Sequence, residues 1–218
     1  MSHKRRDAVA LVLLLSLVAC GRSQRPTTPE DPFDAIGLAP LPVDALAGGS
    51  VLILPIGALV LSDSAALNPD LVARRYGLSA VAGAALDSAL RRGAPAVKWF
   101  GLAEQRRALR MAPAMGIDPS RMETDYLLNP HVESMIDPLW AQLRTLTALL
   151  DTRTAVAPAG VRIDHRGSGY VAEFVLVLVD ARTGKVLGRG RMAGAMAATP
   201  EAALSSAAAA TVPPPPNR

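Results

Sequence analysis

A single cysteine, Cys20, stands among the 218 residues of this chain. With no second thiol there can be no internal disulfide, no thiolate metal cluster and no paired-cysteine redox chemistry, so stability has to come from an apolar core. Aromatic residues are scarce too, with three Phe, three Tyr and two Trp. That leaves little for base-stacking platforms or carbohydrate clefts, and no basic stripe is interleaved with aromatics, which speaks against nucleic acid as a partner. Histidine occurs three times, at His3, His131 and His165. Without cysteine or a closely spaced second ligand pair this is not a metal-binding pattern. No cofactor is expected, since no phosphate-cradling glycine loop precedes a helix: Gly188-Arg189-Gly190 lies late in a strand.

What is present is clearest at the N-terminus. Lys4, Arg5 and Arg6 form a cationic segment, Ala8 to Ala19 is uncharged with Leu11 to Leu15 at its centre, and the small Ala19 precedes Cys20. The uncharged run is 12 residues long, whereas a helix that spans a bilayer needs roughly 20. The pattern predicts a cleaved signal peptide over residues 1–19. Leu17-Val18-Ala19-Cys20 resembles a bacterial lipobox, which implies cleavage after Ala19 and lipid modification of Cys20. Each buried acyl methylene contributes roughly 0.8 kcal/mol, so several chains on one residue make a permanent anchor. By the same resemblance Gly21, rather than Asp, after the cysteine implies the periplasmic face of the outer membrane, with the inner membrane as the alternative. The signal carries three of the 23 basic and one of the 19 acidic residues. The formal charge of +4 therefore falls to about +2 in the mature chain.

Composition divides the remainder. Pro26, Pro29, Pro32, Pro40 and Pro42 mark residues 20–47 as a semi-extended tether. Residues 48–198 read as one α/β domain. Residues 199–218, an Ala-rich stretch ending in Pro213 to Pro216, read as a disordered tail. Within the domain, Ser50 to Pro55 reads as a buried strand, Leu71 to Leu90 as a helix broken near Gly77, Ala94 to Gly101 as a second strand and Leu102 to Met111 as a helix. Val132 to Leu150 carries an apolar residue every third or fourth position, an amphipathic helix that Pro138 can split. Ala155 to Asp164 and Tyr170 to Val179 read as strands, the second apolar at nearly every position, as a strand covered on both faces would be. Asp180 to Gly184 makes the turn into a partner strand over 185–192. Asn68-Pro69, Asp118-Pro119, Asn129-Pro130, Asp137-Pro138 and Thr199-Pro200 each place a capping side chain before a proline, which predicts five helix starts. The expectation is a single mixed sheet of four or five strands covered by helices, with a C-terminal β-hairpin.

This order of elements, with Val51–Pro55 and the hairpin Phe174–Leu187, resembles small α/β outer-membrane lipoproteins related to the curli secretion channel lipoprotein. Peptidoglycan-synthase activator and exopolysaccharide-export lipoproteins are similar. The resemblance spans residues 50–192. It implies binding, assembly or pore formation without catalysis, and it brings no catalytic residues with it. The chain has no long amphipathic insertion for a membrane barrel, which speaks against a channel.

The residues alone lead to the same expectation. Ser168, His131 or His165, and Asp164 can be written as a hydrolase triad, but Gly167-Ser168-Gly169 lacks the strand–elbow–helix context. Glu104, Glu123 and Asp125 fit a solvated helix face better than a glycosidase pair. The expected function is a non-catalytic interaction or assembly module, held to the membrane through Cys20 and acting on an envelope protein partner or a second copy of itself. The alternatives are a hydrolase of an envelope polymer and a small-ligand binder.

Overall fold

The computed structural model describes residues 31–212. One compact unit begins at Pro32. Residues 1–30 and 213–218, on which the expected signal, its cleavage at Ala19, the lipidation of Cys20 and the proline run fall, lie outside the described residues.

Six strands form one mixed sheet. They are β1 (Ser50–Ile53), β2 (Ala58–Leu61), β3 (Lys98–Phe100), β4 (Thr154–Arg166), β5 (Gly169–Asp180) and β6 (Val186–Ala193). The order is β3-β1-β4-β5-β6, and β2 follows β1 along the same side of β4. β1 is parallel to β3 and β4, β2 is parallel to β4, and β4, β5 and β6 are antiparallel. The strand count exceeds the expected four or five partly because the chain rejoins the sheet after a bend at Pro55.

β5 is apolar at consecutive positions because both of its faces are covered. Ala172, Phe174, Leu176 and Leu178 belong to one buried cluster, and Val175, Val177 and Val179 to the other. β4 changes parity partway. Val156 faces the first cluster before Pro158, and Val161 and Ile163 face it afterwards. The switch falls at a bulge between Pro158 and Gly160. Proline has no N–H for the ladder, and a bulge is where a long strand tolerates it.

The helices are α1 (Asp63–Ala66), α2 (Pro69–Gly93), α3 (Leu102–Met111), α4 (Leu139–Leu149) and α5 (Pro200–Ala210). α2 and α5 pack with the first cluster, and α4 with the second. None of them is long and apolar enough to cross a membrane.

Four sequence expectations are corrected. First, α2 runs unbroken through Gly77, because Leu71, Leu78, Ala82, Leu86 and Leu90 are all buried on one face. One exposed glycine costs only about 1 kcal/mol against that packing. Second, Asn129-Pro130 starts no helix. Asn129 Oδ1 accepts from the His131 N–H at 2.9 Å, and the segment from 132 is pinned to the hairpin turn by Met135 N–H to Gly184 O and Val186 N–H to Glu133 O. Third, residues 33–43, read as part of a tether, belong to the folded unit, because Phe33, Ile36, Leu41 and Val43 are buried. Fourth, the Ala-rich stretch is a helix and not a tail. Thr199 Oγ1 caps Ala202 N–H at 3.2 Å, alanine is the best helix former, and Ala203, Leu204, Ala207 and Ala208 are buried against α2 and the sheet.

A Cβ on Gly77 would meet nothing within 4 Å. Gly77→Ala is therefore expected to raise stability by about 0.5–1 kcal/mol, read as a shifted urea midpoint with an unchanged slope.

Candidate interaction site

The hydrolase triad does not assemble. Asp164 and His165 end β4, and the hydroxyls that reach Asp164 Oδ1 are those of Ser62 (2.8 Å) and Ser64 (2.9 Å), while Arg166 Nε reaches Oδ2 at 2.5 Å. Ser62 is the N-cap of α1, so the cluster ties that helix to β4. The His165 ring rests on Tyr170, with centroids 4.9 Å apart. Ser168 lies in the exposed β4–β5 turn. His131 lies beside Asn129 and Val132, whose carbonyls Arg189 holds at the other end of the sheet.

Burial alone would raise the Asp164 carboxyl. Hydrogen bonds from Arg166, Ser62 and Ser64 outweigh it and hold the group down at about 2. Such a carboxylate is a poor base. Its folded value lies below the unfolded one near 3.9, so the stability it contributes is present above pH 4 and is lost as pH falls towards 2. Asp164→Asn is accordingly expected to flatten the acid limb of a stability–pH curve between pH about 4 and about 2.

The carboxylates are otherwise engaged. Glu104 accepts from Gly101 N–H at 2.9 Å and pairs with Arg91 at 3.1 Å. Asp125 accepts from Tyr126 N–H, and Glu123 is exposed beside it. Among the described residues no three His, Cys, Asp or Glu side chains gather as a metal site would require.

The more distinctive feature lies where β1 loses its outer neighbour. The β1–β3 ladder ends at Leu52 opposite Phe100. The chain then leaves the sheet at Gly101 to enter α3. Gln105, fully buried, takes the next ladder position with its side chain, donating from Nε2 to Ile53 O at 2.6 Å and Phe100 O at 3.2 Å. Past that amide the edge is open, and among the described strands β2 pairs only with β4.

A cleft of about 480 Å³ occupies this gap, with Ile53–Ile56 as its floor and α2 and α3 as its walls. The α2 wall is built of Ser79, Ala80, Gly83 and Ala84, small residues at helical spacing, with Tyr76, 87% exposed, at one end. A Cβ on Gly83 would still stand 3.8 Å from Ile56 Cγ1. The α3 wall presents Leu102, Ala103 and Arg106. At the far end Asp87 Oδ2 accepts from Arg91 Nε at 2.9 Å. Arg91 thus pairs with Asp87 and Glu104 together. Its hydrogen bond to Asp87, the largest of several causes, raises the pKa of Arg91. Arg106 makes no ion pair among the described residues.

Sequence reasoning did not find this site. Gln105 reads as an ordinary helix residue, and the one legible signal was the run of small residues from Ser79 to Ala84.

No protein-family model matches the chain, and no curated relative does. Solved structures with a similar arrangement include the LpoB C-terminal domain from Salmonella enterica, 10% identical over 68% of this chain and 83% of that one, at a TM-score of 0.36. Lipoprotein GNA1162 from Neisseria meningitidis is 14% identical over 66% and 78%, at 0.31. A PelC dodecamer from Paraburkholderia phytofirmans is 16% identical over 77% and 87%, at 0.36. These likenesses are too slight to bring a function, a partner or an assembly state to this chain.

Proposed function

We propose that this chain is a lipid-anchored envelope protein whose folded unit binds another protein without catalysing a reaction. The observation that carries the binding role is the open sheet edge with its cleft. It is lined by small and apolar groups with the Arg106 guanidinium on one wall and Asp87, paired with Arg91, at the far end. Such a lining suits recognition, since apolar contact supplies area and a single charge supplies orientation.

The anchoring half rests on Leu17-Val18-Ala19-Cys20 behind a cationic and apolar leader. The folded unit begins at Pro32, and on this reading it works at the periplasmic face of the outer membrane if Gly21 sorts as read above.

Two experiments test the reading. An alkyne fatty acid fed to cells is expected to label the wild type and leave Cys20→Ser unlabelled; equal labelling would overturn the anchor. A photo-crosslinking amino acid at Ala80, in the cleft, is expected to form a discrete adduct in intact envelopes, whereas one at Arg182, in the hairpin turn, is not. Adducts at neither position, or equally at both, would overturn the binding role.

A further inference from the structure

We propose that the folded unit touches an anionic lipid surface with the face where α3 ends. Met111 and Met115 enter the headgroup layer there, and Arg107, Arg110 and Arg144 meet its negative charge. The proposal rests on the anchoring reading above and names the side of the folded unit that turns to the bilayer.

The apolar part of this face is unusually open. Met111, the last residue of α3, is 86% exposed, and Met115, at the end of the short 3-10 turn Pro113–Met115, is 50% exposed. Backbone bonds hold that turn, from Ala112 N–H to Leu109 O at 3.0 Å and from Met115 N–H to Ala112 O at 3.1 Å. Met115 then lines a shallow groove of about 550 Å³ with Ala141, Arg144, Ala148 and Leu149 of α4. Methionine is unbranched and adaptable, which suits contact with a fluid surface that offers no fixed pocket.

The polar part is cationic. α3 and α4 together carry Arg106, Arg107, Arg110 and Arg144 against one carboxylate, Glu104, which Arg91 holds at 3.1 Å. Hydrogen bonds from Ser120, and then the charges of Arg121 and Arg106, keep the Asp118 carboxyl below its ordinary value, so those two arginines have an acidic neighbour. Arg107, Arg110 and Arg144 make no ion pair among the described residues. Arg107 stands one turn before Met111 on the same face of α3, and the Arg144 guanidinium lies over the Trp140 ring at 5.3 Å. A last-turn arginine offsets the helix dipole, which accounts for Arg110 but for neither Arg107 nor the apolar pair.

Charge also separates this face from another exposed apolar residue nearby. Ile136, 57% exposed, shares its cleft with Glu123, Asp125 and Asp137, which an anionic surface repels. Each guanidinium brought to such a surface shifts the contact equilibrium about fivefold at low salt.

The test uses the full-length lipidated chain on phosphatidylcholine vesicles with and without about 25% phosphatidylglycerol. With Cys20 acylated, an introduced cysteine is the one free thiol, and it carries an environment-sensitive fluorophore. The label at Met111→Cys is expected to shift to the blue and brighten at least about twofold on the anionic vesicles, and to be quenched by spin-labelled lipid. It is expected to stay aqueous on phosphatidylcholine alone and in about 0.5 M salt. The label at Leu187→Cys, on β6 at the opposite edge of the sheet, is expected to stay aqueous throughout. Arg107→Glu with Arg110→Glu is expected to return the Met111 label to its aqueous emission while leaving the urea midpoint unchanged, since both side chains are exposed. An aqueous Met111 label on anionic vesicles, equal responses at the two positions, or equal responses on the two kinds of vesicle would overturn the proposal. Flotation of the chain with the vesicles alongside any of these results would leave the anchor standing, whereas a chain that floats with neither kind overturns both readings.

Discussion

Replacing Glu173 with alanine is expected to destabilise the folded unit by about 3 kcal/mol or more. The side chain is only 9% exposed, and its Oε2 lies 2.9 Å from Arg162 Nη2 and 3.2 Å from Arg191 Nε. Both arginine side chains are 13% exposed. Deleting the carboxylate would leave two guanidiniums side by side in a poorly hydrated place, with Asp34, 55% exposed, shared between them. Removing one member of a buried ion cluster costs far more than the cluster contributes when intact, because the desolvation of the survivors is no longer compensated. The loss should also be local. Arg191 Nη1 donates to Phe33 O at 2.6 Å and Ile36 O at 3.3 Å, and the Arg162 guanidinium lies over the Phe33 ring at 5.1 Å. This cluster fastens residues 33–36 to β4 and β6. Urea denaturation should report the global loss, and hydrogen exchange should rise first over residues 33–41. A midpoint within experimental error of the wild type would show that the cluster is not the fastening.

Gly57→Ala is expected to cost about 2–4 kcal/mol, for a purely steric reason. A Cβ there would stand 2.6 Å from Asp125 N, 2.6 Å from Thr124 Oγ1 and 2.7 Å from Ala159 O. Two of the three are backbone atoms, so no rotamer change relieves the clash. Gly57 also donates its N–H to Pro158 O at 2.8 Å, where β4 bulges. The residue therefore sits where two irregularities meet, and displacing it moves the floor of the cleft. The expected result is a lower urea midpoint. Gly77→Ala is the contrasting control, since the same change in open space is expected to stabilise. Equal effects of the two substitutions would contradict the geometry.

Much of the fold was legible because neighbouring residues alone decide it. Phe174 to Val179 announces a strand covered on both faces, since only such a strand is apolar at consecutive positions. Asn68, Asp118 and Thr199 announce helical starts because a capping oxygen and a following proline act within one turn; their side chains accept from Asp70, Ser120 and Ala202. The segment from Val132 was misread for the complementary reason. Spacing of three and four suits a helix, but it suits equally a stretch pinned by Met135 N–H to Gly184 O, a bond to a residue far along the chain. The Ala-rich segment was misread because an alanine run has no polar face to register, and only α2 and the sheet make it a buried helix.

The sequence by itself determined the mixed α/β character and the C-terminal hairpin. These depend on residue type, short spacing or periodicity. Only the tertiary structure decided that residues 33–43 are buried, how α2 and α5 pair, and that the sheet is left open after Leu52. The open edge exists because Gln105 ends one ladder with a side-chain amide, Pro55 bends the chain, and small residues on α2 keep their distance. Each is unremarkable in sequence, and together they form a site only once long-range packing brings them to the same place.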